Sequence, residues 1–245
     1  MVQVFKKFKR SFDFFKRKPD ILKRMAKLPP KASSSPSDSR QALLTAARRV
    51  FADRGFEGAT VKDLADEAGV NVSLVSYYFG GKDGLYRECL LNFAEQRWQA
   101  IVRILKPAES PEEFRTRLQL LAEEIAEVHV HEPDLCRIVH RDVQNLAPAA
   151  VEVFKGGFFK IFETLVAFIK SAEKKGITRH LKDHESTAGL VMGSLMHQLQ
   201  AEPHRKIIGL PSIQDAKYRT SLLAQWLEFT YNGLANHNQG EQEKK

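Results

Sequence analysis

The chain of 245 residues has only two cysteines, Cys89 and Cys136, and two tryptophans. Two thiols cannot build a disulfide framework or a four-cysteine zinc site, and a reducing, cytoplasmic setting is expected. No apolar run approaches the roughly 18–20 residues that span a bilayer. Long period-2 stretches of β-branched residues are also missing, so nothing favours a sheet. There is no P-loop, no G-x-S-x-G, no H-E-x-x-H and no Gly-rich strand-to-helix turn. Neither an enzyme nor a cofactor is expected.

Uniform charge is lacking as well. The formal net charge is +8, and Met1–Ser39 alone, with eleven basic residues against three acidic, accounts for all of it. A protein that coats nucleic acid over its whole surface is therefore disfavoured. Within the leader, Phe5, Phe8, Phe12 and Phe15 recur at helical spacing among Lys and Arg. Residues 1–24 thus form a basic amphipath suited to an anionic membrane or to extra contact with DNA. Pro29, Pro30 and the serines before Arg40 read as a linker. Met25 is an alternative start, which would remove the amphipath.

What the chain does have is helical periodicity from Ser39 onward. The first helix runs from a Ser cap to a stop at Gly55. A second spans Thr60–Ala68, opened by the capping box T-V-K-D and ended by Gly69. Asn71 caps a third, Val72–Tyr78, which Gly80–Gly81 ends. Lys82 opens a fourth, reaching about Leu105. Ser110–Pro111–Glu112–Glu113 starts a fifth, to about Val130. Further helices are expected at Asp134–Asn145, Ala149–Lys175, Asp183–Gln200 and Ser212–Leu234, the last opened by the box S-I-Q-D. The segment Ala201–Pro211, with His204, Arg205 and Lys206, is expected to be an exposed loop. The fold class is all-α: a three-helix helix-turn-helix domain followed by a larger antiparallel bundle. The domains are 1–38 (leader and linker), 39–86, 87–236 and a polar tail, 237–245.

Two short helices joined by a Gly-containing turn can present the second to a DNA major groove. The wider window, RQALLTAARRVFADRGFEGATVKDLADEAGVNVSLVSYYFGGKDGLYRECL at residues 40–90, resembles the N-terminal domain of the TetR family of transcriptional regulators. The ARRVFADRGF block, the T-V-x-x-L-A-x-E-A-G-V helix, Tyr77–Tyr78–Phe79 and Lys82–Asp83–x–Leu85 carry the likeness. The YYFG ending is similar to a subgroup that includes CecR-like regulators. The resemblance implies phosphate contacts by Thr60, Tyr77, Tyr78 and Lys82. It places Val72, Ser73, Leu74 and Ser76, after the cap Asn71, at base edges. Ser76 stands where Tyr is frequent in the family, and Ser73 where Gly is frequent. With no Arg or Gln in Val72–Ser76, apolar contact, water and DNA shape are expected to carry much of the specificity.

The window is itself neutral, with seven basic and seven acidic residues. Affinity should therefore come from a homodimer on a pseudo-palindromic double-stranded operator, with recognition helices about 34–36 Å apart. In the resembled family the last two helices pair between subunits. Gly189, Gly193, Trp226 and Tyr231 are the candidates for that face. The bundle would bind a small-molecule effector, and Phe93, Trp98, His129, Phe158, Phe162, Met192 and Met196 are its candidate lining. His129, His131, Cys136 and His140 match no common zinc spacing and read as hydrogen-bonded or solvated groups, so no metal site is assigned. The expected function is a repressor released from DNA by its effector. The alternative is an architectural, nucleoid-associated DNA binder without an inducer.

Overall fold

The computed structural model describes residues 36–145 and 148–236. The basic amphipath at residues 1–24, the choice between Met1 and Met25, and the polar tail at 237–245 lie outside them. The chain divides into two units, Met1–Asp38 and Ser39–Lys245, and the second holds the apolar cores. Among the described residues every extended element is helical, and an isolated antiparallel bridge joins Thr178 to Ala235. The order is α1 (Pro36–Gly58), α2 (Val61–Ala68), α3 (Ser73–Phe79), α4 (Lys82–Ile104), α5 (Pro111–His131), α6 (Pro133–Gln144) and α7 (Pro148–Val153). A π turn, Phe154–Phe158, leads into α8 (Phe159–Lys174), followed by α9 (His184–Gln200), α10 (Glu202–Ile207) and α11 (Ala216–Leu234).

Local chemistry sets most of these boundaries. Gly55 breaks the helical run of α1, at φ 76° and ψ 171°. Thr60 and Asp63 form a reciprocal capping box at the start of α2: Thr60 Oγ1 accepts from the Asp63 amide at 3.1 Å, and the Thr60 amide donates to Asp63 Oδ2 at 2.9 Å. Such a cap satisfies two amide donors that the first turn would otherwise leave open, and its hydrogen bonds hold the Asp63 carboxyl below its usual pKa. Gly69 closes α2 in the left-handed region, at φ 66°. Ser110 accepts from the Glu113 amide to open α5, with Pro111 in the first turn.

Three expectations are corrected. The single helix expected over Ala149–Lys175 is interrupted by the π turn, which contains Gly156 and Gly157. A Cβ on Gly157 would lie 2.6 Å from the Ala94 Cβ, so the turn sits directly on α4. Ala201–Pro211 is not an exposed loop. It contains α10, and Arg205 is buried, donating to the Tyr218 hydroxyl and to Gln198 Oε1. The last helix starts at Asp215, which accepts from the Lys217 and Tyr218 amides. Ser212 instead donates to Glu202 and accepts from the Gln214 amide, holding the turn before α11.

Two apolar cores result. One contains Leu43, Phe51, Leu64, Val75 and Leu85 of the first four helices and continues into Phe93, Cys136, Val139 and Val153. The other joins the end of α4 to α5, α8, α9 and α11, around Phe114, Leu118, Phe168, Leu195 and Trp226. Phe114 and Phe168 stack there with ring centroids 4.9 Å apart. Helix α4 belongs to both cores, and the first core does not end at residue 86.

Candidate nucleic-acid interface and bundle cavity

Helix α3 is held by its inner side and presents its outer side. Val75 is fully buried and Leu74 and Tyr78 are half-buried against the first core. Asn71, Val72, Ser73, Ser76 and Tyr77 face outward, Val72 at 49% and Tyr77 at 64% exposure. The N-cap position of this helix is Val72 and not Asn71; Asn71, one residue earlier, accepts at Oδ1 from the Ser73 amide at 2.9 Å and the Ser73 hydroxyl at 2.7 Å. The Tyr77 and Tyr78 rings meet edge-on at 5.0 Å, which fixes the exposed ring against the half-buried one. Leu74 is therefore first a packing residue, and the outward set is Val72, Ser73, Ser76 and Tyr77.

Two of the expected phosphate contacts are engaged inside the protein. The Thr60 hydroxyl donates to Asp63 Oδ2 at 2.7 Å within its capping box. Lys82 is corrected more strongly. Its Nζ donates to the Phe56 carbonyl at 2.8 Å and the Ala59 carbonyl at 3.0 Å, and it lies 4.4 Å from the Phe56 ring centroid. The ammonium satisfies carbonyls left over where α1 ends, so it closes the domain rather than reaching outward. The first-turn amides of α4 remain as donors near its start.

Six of the seven effector candidates surround one cavity of about 450 Å³: Phe93, His129, Phe158, Phe162, Met192 and Met196. Trp98 does not. It is half-buried and covered by the Lys160 ammonium, 4.7 Å from its ring. Sequence reasoning missed Arg97, Glu124, Ile125, Val139, His140 and Phe159, which also line the cavity. Arg97 donates to Glu124 Oε1 at 3.1 Å, so the two charges in the wall compensate each other. The His129 and His140 rings stack with centroids 5.4 Å apart. Burial lowers the pKa of both, that of His140 to about 4 with help from His129, so both are neutral at pH 7. His131 turns away to Glu127, at 3.0 Å.

Helix α6 connects the cavity to α1 of the N-terminal domain. Cys136, Val139 and His140 line the cavity. The next residue, Arg141, donates to the Phe51 carbonyl at 2.6 Å and the Ala52 carbonyl at 2.8 Å, on the last turn of α1 before the Gly55 break. Its Nε pairs with Asp142 at 2.8 Å, and Asp142 accepts from the Tyr86 hydroxyl at 2.9 Å. Arg48–Glu132 and Arg137–Asp53 add ion pairs along the same contact.

Of the dimer candidates, Gly189 and Gly193 lie exposed on α9, with open space where a Cβ would stand. Beside them Leu190 is 75% exposed, and Phe229 on α11 is 80% exposed. Trp226 is corrected: it is buried within the subunit, its Nε1 donating to Ser194 at 3.0 Å. Tyr231 is half-buried beside Phe114 and the Arg115 guanidinium.

A three-helix domain with an outward third helix, followed by a helical bundle with an apolar cavity, defines a helix-turn-helix fold. Residues 43–89 match the family described as bacterial regulatory proteins, tetR family. The HTH-type transcriptional repressor KstR2 of Mycolicibacterium smegmatis is 35% identical over 102 residues, 42% of this chain and 49% of that protein. The repressor AcnR of Corynebacterium glutamicum is 42% identical over 55 residues, 22% of this chain and 29% of that one. The chain thus matches half or less of the length of these relatives, both named as transcriptional repressors. Among solved structures, KstR2 of Mycobacterium tuberculosis superposes with a TM-score of 0.62 at 21% identity, over 84% of this chain and 98% of that one. The fatty acid degradation regulator FadR of Bacillus halodurans gives 0.63 at 16% identity, over 82% and 98%. At those identities the likeness is one of fold.

Proposed function

We propose that the protein is a cytoplasmic, homodimeric, sequence-specific DNA-binding repressor, released from its operator by a small molecule held in the bundle cavity. The observation that carries this reading is helix α6, which lines the cavity and clasps the end of α1 one residue apart. An effector that repacks His140 acts directly on the support of the reading domain. It need only prefer the arrangement in which the two recognition helices miss successive grooves. Base contact falls to Val72, Ser73 and Ser76, phosphate contact to Tyr77 and the first amides of α4. The exposed Tyr77 beside Tyr78, in the YYFG ending, is what supports the finer placement in a CecR-like subgroup.

The dimer follows from charge and from surface. A neutral reading domain gains little affinity from phosphates alone, so two linked half-sites are needed. Leu190 and Phe229, beside open glycines, form an apolar face that a second copy would cover. The test is footprinting on the DNA flanking the gene: a protected pair of half-sites one helical turn or a multiple apart, bound by a dimer. Tyr77→Ala should weaken that binding about tenfold or more, with the dimer and its melting temperature unchanged. Wild-type affinity in Tyr77→Ala would show that the interface lies elsewhere. Protection spread evenly over many unrelated sequences would favour the architectural alternative.

A further inference from the structure

His129, one of the residues that line the bundle cavity, has a buried polar atom that the protein leaves unsatisfied. His129 Nδ1 lies 2.8 Å from the Ile125 carbonyl, and a carbonyl can only accept, so Nδ1 carries the proton. In the neutral ring Nε2 is then a bare acceptor. That nitrogen is buried with no hydrogen-bond partner, as is the Nε donor of Arg97 across the same lining. His129 as a whole is 9% exposed, and solvent does not reach Nε2 to supply a donor. An unpaired buried acceptor costs stability that a ligand hydroxyl would recover. Apart from the stacked His140 imidazole and the Cys136 thiol, which donates to the Val128 carbonyl, the remaining wall is aromatic, aliphatic and thioether, and its one charged pair, Arg97–Glu124, is already compensated.

We propose that the effector is a neutral, largely apolar molecule carrying a hydroxyl group, and that this hydroxyl donates to His129 Nε2 when the ligand repacks the stacked His129–His140 pair. This rests on the reading of the cavity as the effector site. A charged ligand has no free counter-charge there and would lose its hydration without compensation. A cavity of about 450 Å³ falls within the span that holds drug-sized molecules. Arg97 Nε is the natural second anchor, for a carbonyl or ether oxygen.

The test uses the full chain and diphenylhexatriene, a fluorescent hydrocarbon that reports the cavity without hydrogen bonding. 4-Octylphenol and its methyl ether, 4-octylanisole, then compete for the site. The phenol should displace the reporter at roughly tenfold lower concentration than the ether, and His129→Phe should close that gap by weakening only the phenol. Equal displacement by the two in the wild type, or a gap that persists in His129→Phe, overturns the hydroxyl anchor while leaving the cavity as a ligand site. If the reporter does not bind, or binds unchanged when Met192→Trp fills the space, the effector-site reading falls and this inference with it. Should His129→Phe fail to fold, ¹⁵N NMR of the wild-type imidazole replaces it. A shift of Nε2 with the phenol and not with the ether supports the anchor, and no difference overturns it.

Discussion

Buried polar side chains in this protein carry information that exposed ones do not. Tyr86 is fully buried and its hydroxyl serves Asp142; burial and the neighbouring carboxylate push its pKa up. His140 shows the opposite direction for a base. The unfolded ring titrates near 6.5 and the folded ring near 4, so between those values the unfolded chain holds a proton that the folded chain refuses. Stability must therefore be fully present above about pH 6.5 and fall as pH drops toward 4. Urea midpoints at pH 7.5 and 5.0 should show the loss, and His140→Phe should reduce it. An equal loss in the variant would place the titrating group elsewhere. Lys82 teaches a related lesson. Its position at a helix start reads as a phosphate contact, but the carbonyls of Phe56 and Ala59 are a nearer demand that no local pattern reveals.

At the scale of elements, caps and periodicity make most helices legible in the sequence. Thr60–Asp63, Gly69, Ser110–Pro111 and Asp183 all act where their chemistry says they should. The failures have physical causes. The S-I-Q-D box loses to Asp215 because Ser212 is drawn to Glu202, a partner in α10, whose residues read as loop in the sequence. Trp226 reads as an interface residue because aromatic rings suit interfaces, yet Ser194 offers its indole a partner inside the subunit. Six cavity residues are legible because aromatic and Met side chains on central helices exceed simple packing needs. Arg97 and His140 are not, because nothing local shows that they turn inward.

Close approach between elements is also invisible in the sequence. A Cβ on Gly84 would lie 1.7 Å from the Phe79 carbonyl oxygen, so the first turn of α4 fits beneath the end of α3 only without a side chain. Gly84→Ala should destabilise the N-terminal domain by about 1–3 kcal/mol through overpacking. Hydrogen exchange should show amides of α3 opening first, while those of α9 and α11 hold. Uniform protection would mean that the contact relaxes cheaply.

For the whole molecule, the proposed dimer face is the one that carries the exposed Leu190 and Phe229. Phe229→Glu should shift sedimentation from dimer to monomer, since two copies would bury like charges against each other, and operator binding should fall with it. A variant that remains dimeric would move the interface off α11. On the proposed reading, the contact between α6 and α1 carries the communication between cavity and DNA. Arg141→Met removes the donors to Phe51 and Ala52 and leaves the buried Asp142 with Tyr86 alone, at a cost of about 2–3 kcal/mol. It should also weaken the effect of effector on DNA affinity, measured as the ratio of operator dissociation constants with and without ligand. An unchanged ratio would route the coupling through α4 instead.

The adjacency of His140 and Arg141 has a thermodynamic corollary. If filling the cavity costs the protein a given factor in grip on its operator, then operator DNA must cost the protein the same factor in grip on the effector. The helix therefore cannot act as a one-way relay. On the proposed reading, copies seated on DNA would be poor sinks for the effector, and copies free in solution good ones. The concentration at which derepression begins would accordingly depend on how many copies the cell holds and on how many operators they occupy.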